Sequence, residues 1–403
     1  MSNRQTIFSA IKKLLTSTIA ISAVVLCQSA QSQIVTFNQP NTPDGASSIT
    51  KLILASINAS TPNSEVLGSF MNWYEPSGSV ESSMHLTKSI KHMAESRNLY
   101  TCFVTGDIDP HPSETMPDLP FLRKNGGIAR IGPVHRVRNH SKFMVFSNLN
   151  WSQLPSSGLT GQTPALLVGS SNIGESSKNN TMLLIPLTTS AYQQIKSYFL
   201  KLKDAANHPQ ASPENDNFAS VDLSNASILN LYPRRRLGNS QASANDHPYR
   251  TIFKDRITSP KYIQIVTPRF HNLPTAQALA KLLQTYPSLK VEVISRDGKL
   301  NGDPEISIAV RNTLRPFQNR CTLRVANSGV NIHSKYLLYK GKYRPSKTAP
   351  FKEKEVVWNG TMNLTNARFQ WEQILETTEP AFYTKFKTNY NWLKNTITHP
   401  SNW

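Results

Sequence analysis

The chain has 403 residues, 38% of them hydrophobic and 17% charged, enough to bury a sizeable core in two or three domains or in one large two-lobed domain. This composition excludes a low-complexity or collagen-like polymer. Lys and Arg outnumber Asp and Glu by 44 to 25, a balance of +19, which favours anionic partners: nucleic acid, acidic membrane surfaces or phosphorylated substrates.

The first element is an export signal. Arg4, Lys12 and Lys13 form a positive region, Leu14 to Cys27 is an apolar stretch short for a membrane span, and Ala30 and Ser32 are small residues at cleavage-site spacing. Residues 1–32 therefore read as a signal peptide, and the protein as periplasmic or secreted. Its removal leaves 41 cations against 25 anions, a balance of +16. No later segment is apolar for long enough to span a bilayer. The two remaining cysteines, Cys102 and Cys321, fall in different halves of the chain; an oxidising compartment would allow a disulfide between them, and buried free thiols are the favoured reading. No Cys/His cluster has zinc spacing.

Residues 49–57 (ITKLILASI) read as a strand, 80–97 as a helix and 99–105 (LYTCFVT) as a strand. Then comes NHSKFMVF, residues 139–146, where His140 and Lys142 stand at the head of an apolar run. Strand alternation puts both on one face. LLVGSSN (166–172) follows, and Tyr192, Ile195, Phe199 and Leu202 are spaced as one face of a helix. Residues 206–225 are rich in Pro, Asn, Asp and Ser and read as linker. A basic cluster, YPRRRLGN (232–239), comes next. The boundaries drawn from this are 33–205 for a first half, 206–255 for the linker and 256–403 for a second half.

The second half repeats the plan. A strand over 261–267, a helix over 275–285 and a strand over 289–295 precede NIHSKYLLY, residues 331–339, with His333 and Lys335. VVWNGTMN (356–363) follows. Gly169 and Gly360 lie 191 residues apart, as do Asn172 and Asn363. Tyr383, Phe386, Tyr390 and Leu393 match the first helix face at the same offset. Shared register across a Gly, an Asn and four apolar positions marks an internal duplication. Of the ten histidines, only His140 and His333 have a Lys two residues on.

Two lysines and two amides suit the oxyanions of a phosphodiester, and Gly allows close backbone approach. Two imidazoles suit a double displacement, in which one attacks and the other protonates the departing oxygen.

H-x-K followed by G-[ST]-x-N, present twice, resembles the phospholipase D superfamily, over roughly residues 128–204 and 321–395. The resemblance implies an α/β fold of two similar halves, each a mixed β-sheet flanked by helices, packed about a pseudo-twofold axis with the active site on it. It implies no metal or other cofactor, a phosphohistidine intermediate, and catalytic roles for His140, His333, Lys142 and Lys335. Asn172, Asn363, Ser170 and Thr361 would bind the substrate phosphate. Members often place a carboxylate after the Asn, where it orients the His of the opposite half. Nine residues past Asn363 stands Glu372; nine past Asn172 stands Thr181. Glu372 is thus expected to support His140 as nucleophile, and His333 to act as acid and base without a carboxylate. The Asp of the usual HxKxxxxD motif is replaced by Ser147 and Lys340, which leaves room for a non-catalytic scaffold.

Three functions follow from these readings. An exported phospholipase D-type enzyme acting on phospholipid head groups is favoured, with peripheral membrane contact through Trp151 and the basic loop 341–354. A secreted nuclease or nucleotide phosphodiesterase suits the +16 balance. A binding protein on a retired scaffold is the third. The loops 156–163 and 341–354 are expected at the site mouth as substrate-choosing segments. A chain holding both halves is expected to be monomeric.

Overall fold

The computed structural model describes residues 33–40, 42, 45, 47–73, 86–106, 128–130, 138–175, 177–208, 220–223, 226–232, 247–300, 303–365, 370–401 and 403. The signal peptide expected over residues 1–32 and most of the 232–239 cluster lie outside them. The first half contributes β1 (Ile34–Phe37), α1 (Ser48–Asn58), β2 (Glu65–Phe70), α2 (Leu86–Arg97), β3 (Tyr100–Thr105), β4 (Ile128–Arg130), β5 (Arg138–Asn139), β6 (Lys142–Asn150), β7 (Gln162–Gly169), β8 (Thr181–Pro186) and α3 (Thr189–Asn207). There follow β9 (Ser220–Leu223), β10 (Ser227–Tyr232), α4 (Pro248–Thr251), β11 (Ile257–Val266), α5 (Leu273–Thr285) and β12 (Lys290–Ser295). The chain then forms a small hairpin of β13 (Lys299–Leu300) and β14 (Asp303–Pro304), and continues through α6 (Ile308–Leu314), β15 (Cys321–Ala326), β16 (Tyr336–Tyr343), β17 (Lys352–Gly360), β18 (Gln370–Thr377), α7 (Pro380–Trp392) and β19 (Thr398–Pro400).

One sheet runs β1-β8-β7-β6-β2-β3-β4 and the other β19-β15-β12-β11-β16-β17-β18-β10-β9. Within them, β4-β3-β2-β6-β7-β8 and β15-β12-β11-β16-β17-β18 share the same order and the same parallel and antiparallel senses. The duplication inferred from register is therefore a duplication of topology. The strands are buried on both faces, which is why they read as continuous apolar runs. In β6, Phe143 and Val145 join the central core while Met144 and Phe146 join the outer one. The central core lies between the sheets and holds α3 and α7; α1 and α2 cover one sheet outside, and α4, α5 and α6 the other. The result is the mixed α/β, two-sheet architecture of a phospholipase D-like fold. The halves also exchange backbone pairings at equivalent places: β5 runs parallel to β18, and Asn179 bridges Ile332.

Four readings of the sequence give way. Residues 49–57 are helix α1, whose buried Ile49, Leu52, Ile53, Ser56 and Ile57 follow helical spacing that the β-branched content disguises. The strand in that part of the first half is β2. The linker ends early: Val221, Leu223, Leu229 and Leu231 alternate into the central core, so β9 and β10 extend the second sheet beside β18. The loops 156–163 and 341–354 join the far ends of β6/β7 and β16/β17, roughly 25 Å of strand from the His–Lys units. They do not frame the site. Trp151 is buried, with its indole N–H donated to Thr163 Oγ1 (2.8 Å), and so presents nothing to a membrane. Cys102 and Cys321 are buried and free. Among the described residues, no helix is long and apolar enough to cross a membrane.

Candidate active site

Both His–Lys units sit where a strand begins, and each is tied to the opposite half. The His140 backbone N–H donates to Trp371 O (3.0 Å), and the His333 N–H donates to Asn179 O (2.9 Å). Each lysine turns back on its own histidine: Lys142 Nζ donates to His140 O (2.9 Å) and Lys335 Nζ to His333 O (2.6 Å). Gln373 Nε2 donates to Lys142 O (2.8 Å) and Thr181 Oγ1 to Asn359 Oδ1 (2.7 Å), closing the junction between halves. The glycines permit this packing. A Cβ on Gly169 would lie 2.1 Å from Thr181 O, and one on Gly360 would lie 2.1 Å from Gln373 O.

Each imidazole faces a carboxylate through Nδ1, which leaves Nε2 for chemistry. Nδ1 of His140 lies 3.2 Å from Glu372 Oε1, at an angle outside hydrogen-bond geometry. Glu372 is held by Thr361 Oγ1, which donates to Oε2 (2.7 Å). The expectation that His333 has no carboxylate is overturned: its Nδ1 lies 3.3 Å from Glu175 Oε2 and 2.9 Å from Asn180 Oδ1. Glu175 stands three residues past Asn172, not nine. It accepts from Asn172 N–H (3.0 Å), Asn172 Nδ2 (2.7 Å), Asn180 Nδ2 (3.3 Å) and Lys178 Nζ (2.8 Å). Sequence spacing could not find it, because the loop rather than the repeat brings it there.

The four expected phosphate ligands separate. Ser170 and Thr361 are fully buried; Ser170 Oγ donates to Asn180 Oδ1 (3.1 Å), as Thr361 does to Glu372. Both stand behind the groups facing the histidines instead of contacting a phosphate. Asn172 spends its amide on Glu175 and accepts from Asn72 N–H (3.1 Å). Asn363 keeps a buried Oδ1 that has no hydrogen-bond partner among the described residues, while its carbonyl meets Nε2 of His247 (2.9 Å). His247 is a further buried histidine at the site that the sequence did not single out. Its motif, His before Pro at a helix start, signals only a cap, and it does cap α4.

The two lysines feel each other's charge. Burial lowers Lys142 to about 8, against the pull of Glu175 and Glu372. Burial, and then the Lys142 ammonium of the other half, push Lys335 well below its usual range. Burial and Lys142 lower His140, Glu372 opposes them, and Lys335 adds to the depression from across the junction. Burial and Lys335 lower His333 to about 3, against Glu175. Burial pushes both carboxyls up, but His333 and Lys178 bring Glu175 well below its ordinary value, and His140 does the same more mildly to Glu372. Two buried lysines beside two imidazoles suit an anion.

Neither a family model nor a curated protein matches the sequence. Solved structures do match in fold. A polyphosphate kinase from Porphyromonas gingivalis superposes with a TM-score of 0.52 at 12% identity, over 89% of this chain and 50% of its own, so the chain spans about half the kinase's length. A phosphatidylserine synthase from Haemophilus influenzae superposes with a TM-score of 0.54 at 11% identity, over 92% of this chain and 89% of its own. Both similarities are of fold.

Proposed function

The chain is phospholipase D-like in fold, and from that premise we propose that it is a phosphodiesterase working through a phosphohistidine, with phospholipid head groups as substrate class. The observation that supports this is the junction itself: His140 and His333 each stand beside a carboxylate of the opposite half and a buried lysine of their own, next to the places where the halves exchange backbone pairings. Lys142 and Lys335 neutralise the phosphate oxygens. One imidazole forms a P–N bond as the P–O bond to the leaving group breaks, and the other protonates that oxygen and then activates water or an alcohol. The similarity of matching length to a phosphatidylserine synthase supports the lipid class. The signal-like N-terminus supports export, with action at a membrane surface as a monomer. The +16 balance of the exported chain supports a second reading, a secreted nuclease, because a polyanion gains most from such a field. Incubation with EDTA against mixed phospholipid vesicles, and separately against DNA, tests both. Phosphatidic acid is the expected product; nucleotide fragments would favour the second reading, and neither product would overturn both.

A further inference from the structure

The two carboxylates that face the histidines are not equivalent. Glu372 takes one hydroxyl, from Thr361, besides its imidazole. Glu175 takes an ammonium and three amide N–H groups besides His333, so its charge is already divided. Lys178, the source of that ammonium, is 2.8 Å from Oε1 with about a quarter of its side chain exposed. At the shared offset of 191, the second half has Phe369 in place of Lys178. The same offset sets Asn366 opposite Glu175, Arg368 opposite Ser177 and Glu372 opposite Thr181, so the two halves carry their charges at different points of the repeat.

We propose that Lys178 makes the two histidines unequal: it shares the Glu175 carboxylate with His333, so His333 enters the reaction neutral and attacks phosphorus, while His140, against the undivided Glu372, carries the proton for the leaving oxygen. This rests on the phosphohistidine reading above and assigns roles within it. The order is the reverse of the one expected from sequence, which assumed that His333 had no carboxylate. Nε2 of His333 gives its lone pair to phosphorus as the P–O bond breaks, and Nε2–H of His140 passes its proton to the departing oxygen. Water then loses a proton to His140 and attacks phosphorus, the P–N bond breaks, and both imidazoles return to their starting state. The charged groups facing His333 are Lys335 on its own strand and Glu175 and Lys178 on the loop after β7. Those facing His140 are Lys142 on its own strand, Glu372 on β18 and Lys335 from the opposite unit. Burial lowers both rings; Lys335 and then Lys178 lower His333 further against Glu175, whereas the lysines that lower His140 are Lys142 and Lys335.

Imidazole-15N NMR of the full chain, assigned with His140→Asn and His333→Asn, tests the inequality without any substrate. His140 is expected to protonate at higher pH than His333. Lys178→Met should raise the His333 midpoint by about one pH unit or more and move His140 far less. Lys178→Gln serves if the Met variant does not fold. A His333 midpoint at or above that of His140, or one that Lys178→Met leaves unmoved, overturns the proposal. Rapid quench with phosphatidylcholine vesicles locates the P–N bond. A bond on His333 supports the assignment, and a bond on His140 overturns it while leaving the two-histidine reading intact. A complete absence of phosphohistidine counts against that reading, and the titration still decides the role of Lys178.

Discussion

At the scale of single residues, the site separates groups that do chemistry from groups that hold them. His140→Ala and His333→Ala should each lower turnover by at least ~10²–10⁴-fold. Glu372→Gln should cost less than about 10²-fold, because the amide still fills the place beside Nδ1 without the charge. Steady-state assays of the three variants check this ranking. The same residues set an acid limit on stability. Burial, first of all, holds His333 at about 3 and His247 at about 4 in the folded chain. Below pH 6.5 the unfolded chain takes up protons that these buried rings refuse, so stability falls as pH drops from 6.5 toward those values. Glu175 and Glu372, lowered from 4.5, add to the loss once pH falls below 4.5. Thermal melts between pH 7 and 4 should show a steadily falling midpoint; a flat profile would contradict the buried, neutral imidazoles. His140, Lys142, His333 and Lys335 were legible because spacing along a strand and register between repeats are linear properties; Glu372 came from the resemblance, which implies a carboxylate after the Asn. Glu175 and His247 were not, since the first sits in a loop that has no carboxylate at the matching place in the other half and the second caps a helix outside the repeat.

At the scale of elements, the junction depends on close strand approach at two glycines. Gly169→Ala and Gly360→Ala each drive a methyl into a carbonyl of the neighbouring strand, and each should destabilise by about 1–3 kcal/mol. Denaturant melts of the two variants, with Gly161→Ala as a loop control that meets nothing nearby but sits at φ +85, would show whether strand approach or backbone conformation governs. The sequence disclosed the motif strands, the α3 and α7 faces and the second-half strand–helix–strand by their periodicity. It misplaced the opening of the first half for physical reasons. β2 contains Gly68, whose missing side chain makes room for the Phe103 ring and weakens the strand pattern, while the Ile-rich helix α1 imitates one. β9 and β10 were hidden behind a Pro-rich stretch whose composition says nothing about the strands that follow it.

At the scale of the whole molecule, the central core is common to both halves. Phe37 of β1 packs edge-on against Phe386 of α7 at 5.2 Å, and Tyr198 of α3 against Trp371 of β18 at 5.4 Å. The site is thus a property of the pair of lobes, and two ammonium groups confined there cost stability until an anion joins them. Orthovanadate or phosphate should therefore raise the melting temperature, by an increment equivalent to about 2.7 kcal/mol at a hundredfold excess over Kd. Lys142→Met and Lys335→Met should abolish that increment. The most direct measurement of the central claim, that one histidine displaces the leaving group at phosphorus and water activated by the other then displaces that histidine, is the stereochemical course of hydrolysis. A phosphodiester made chiral at phosphorus with sulfur is turned over in 18O-water and the product configuration is read. Two inversions through a phosphohistidine give net retention, and net inversion would mean that water attacks in a single step, which this account does not allow.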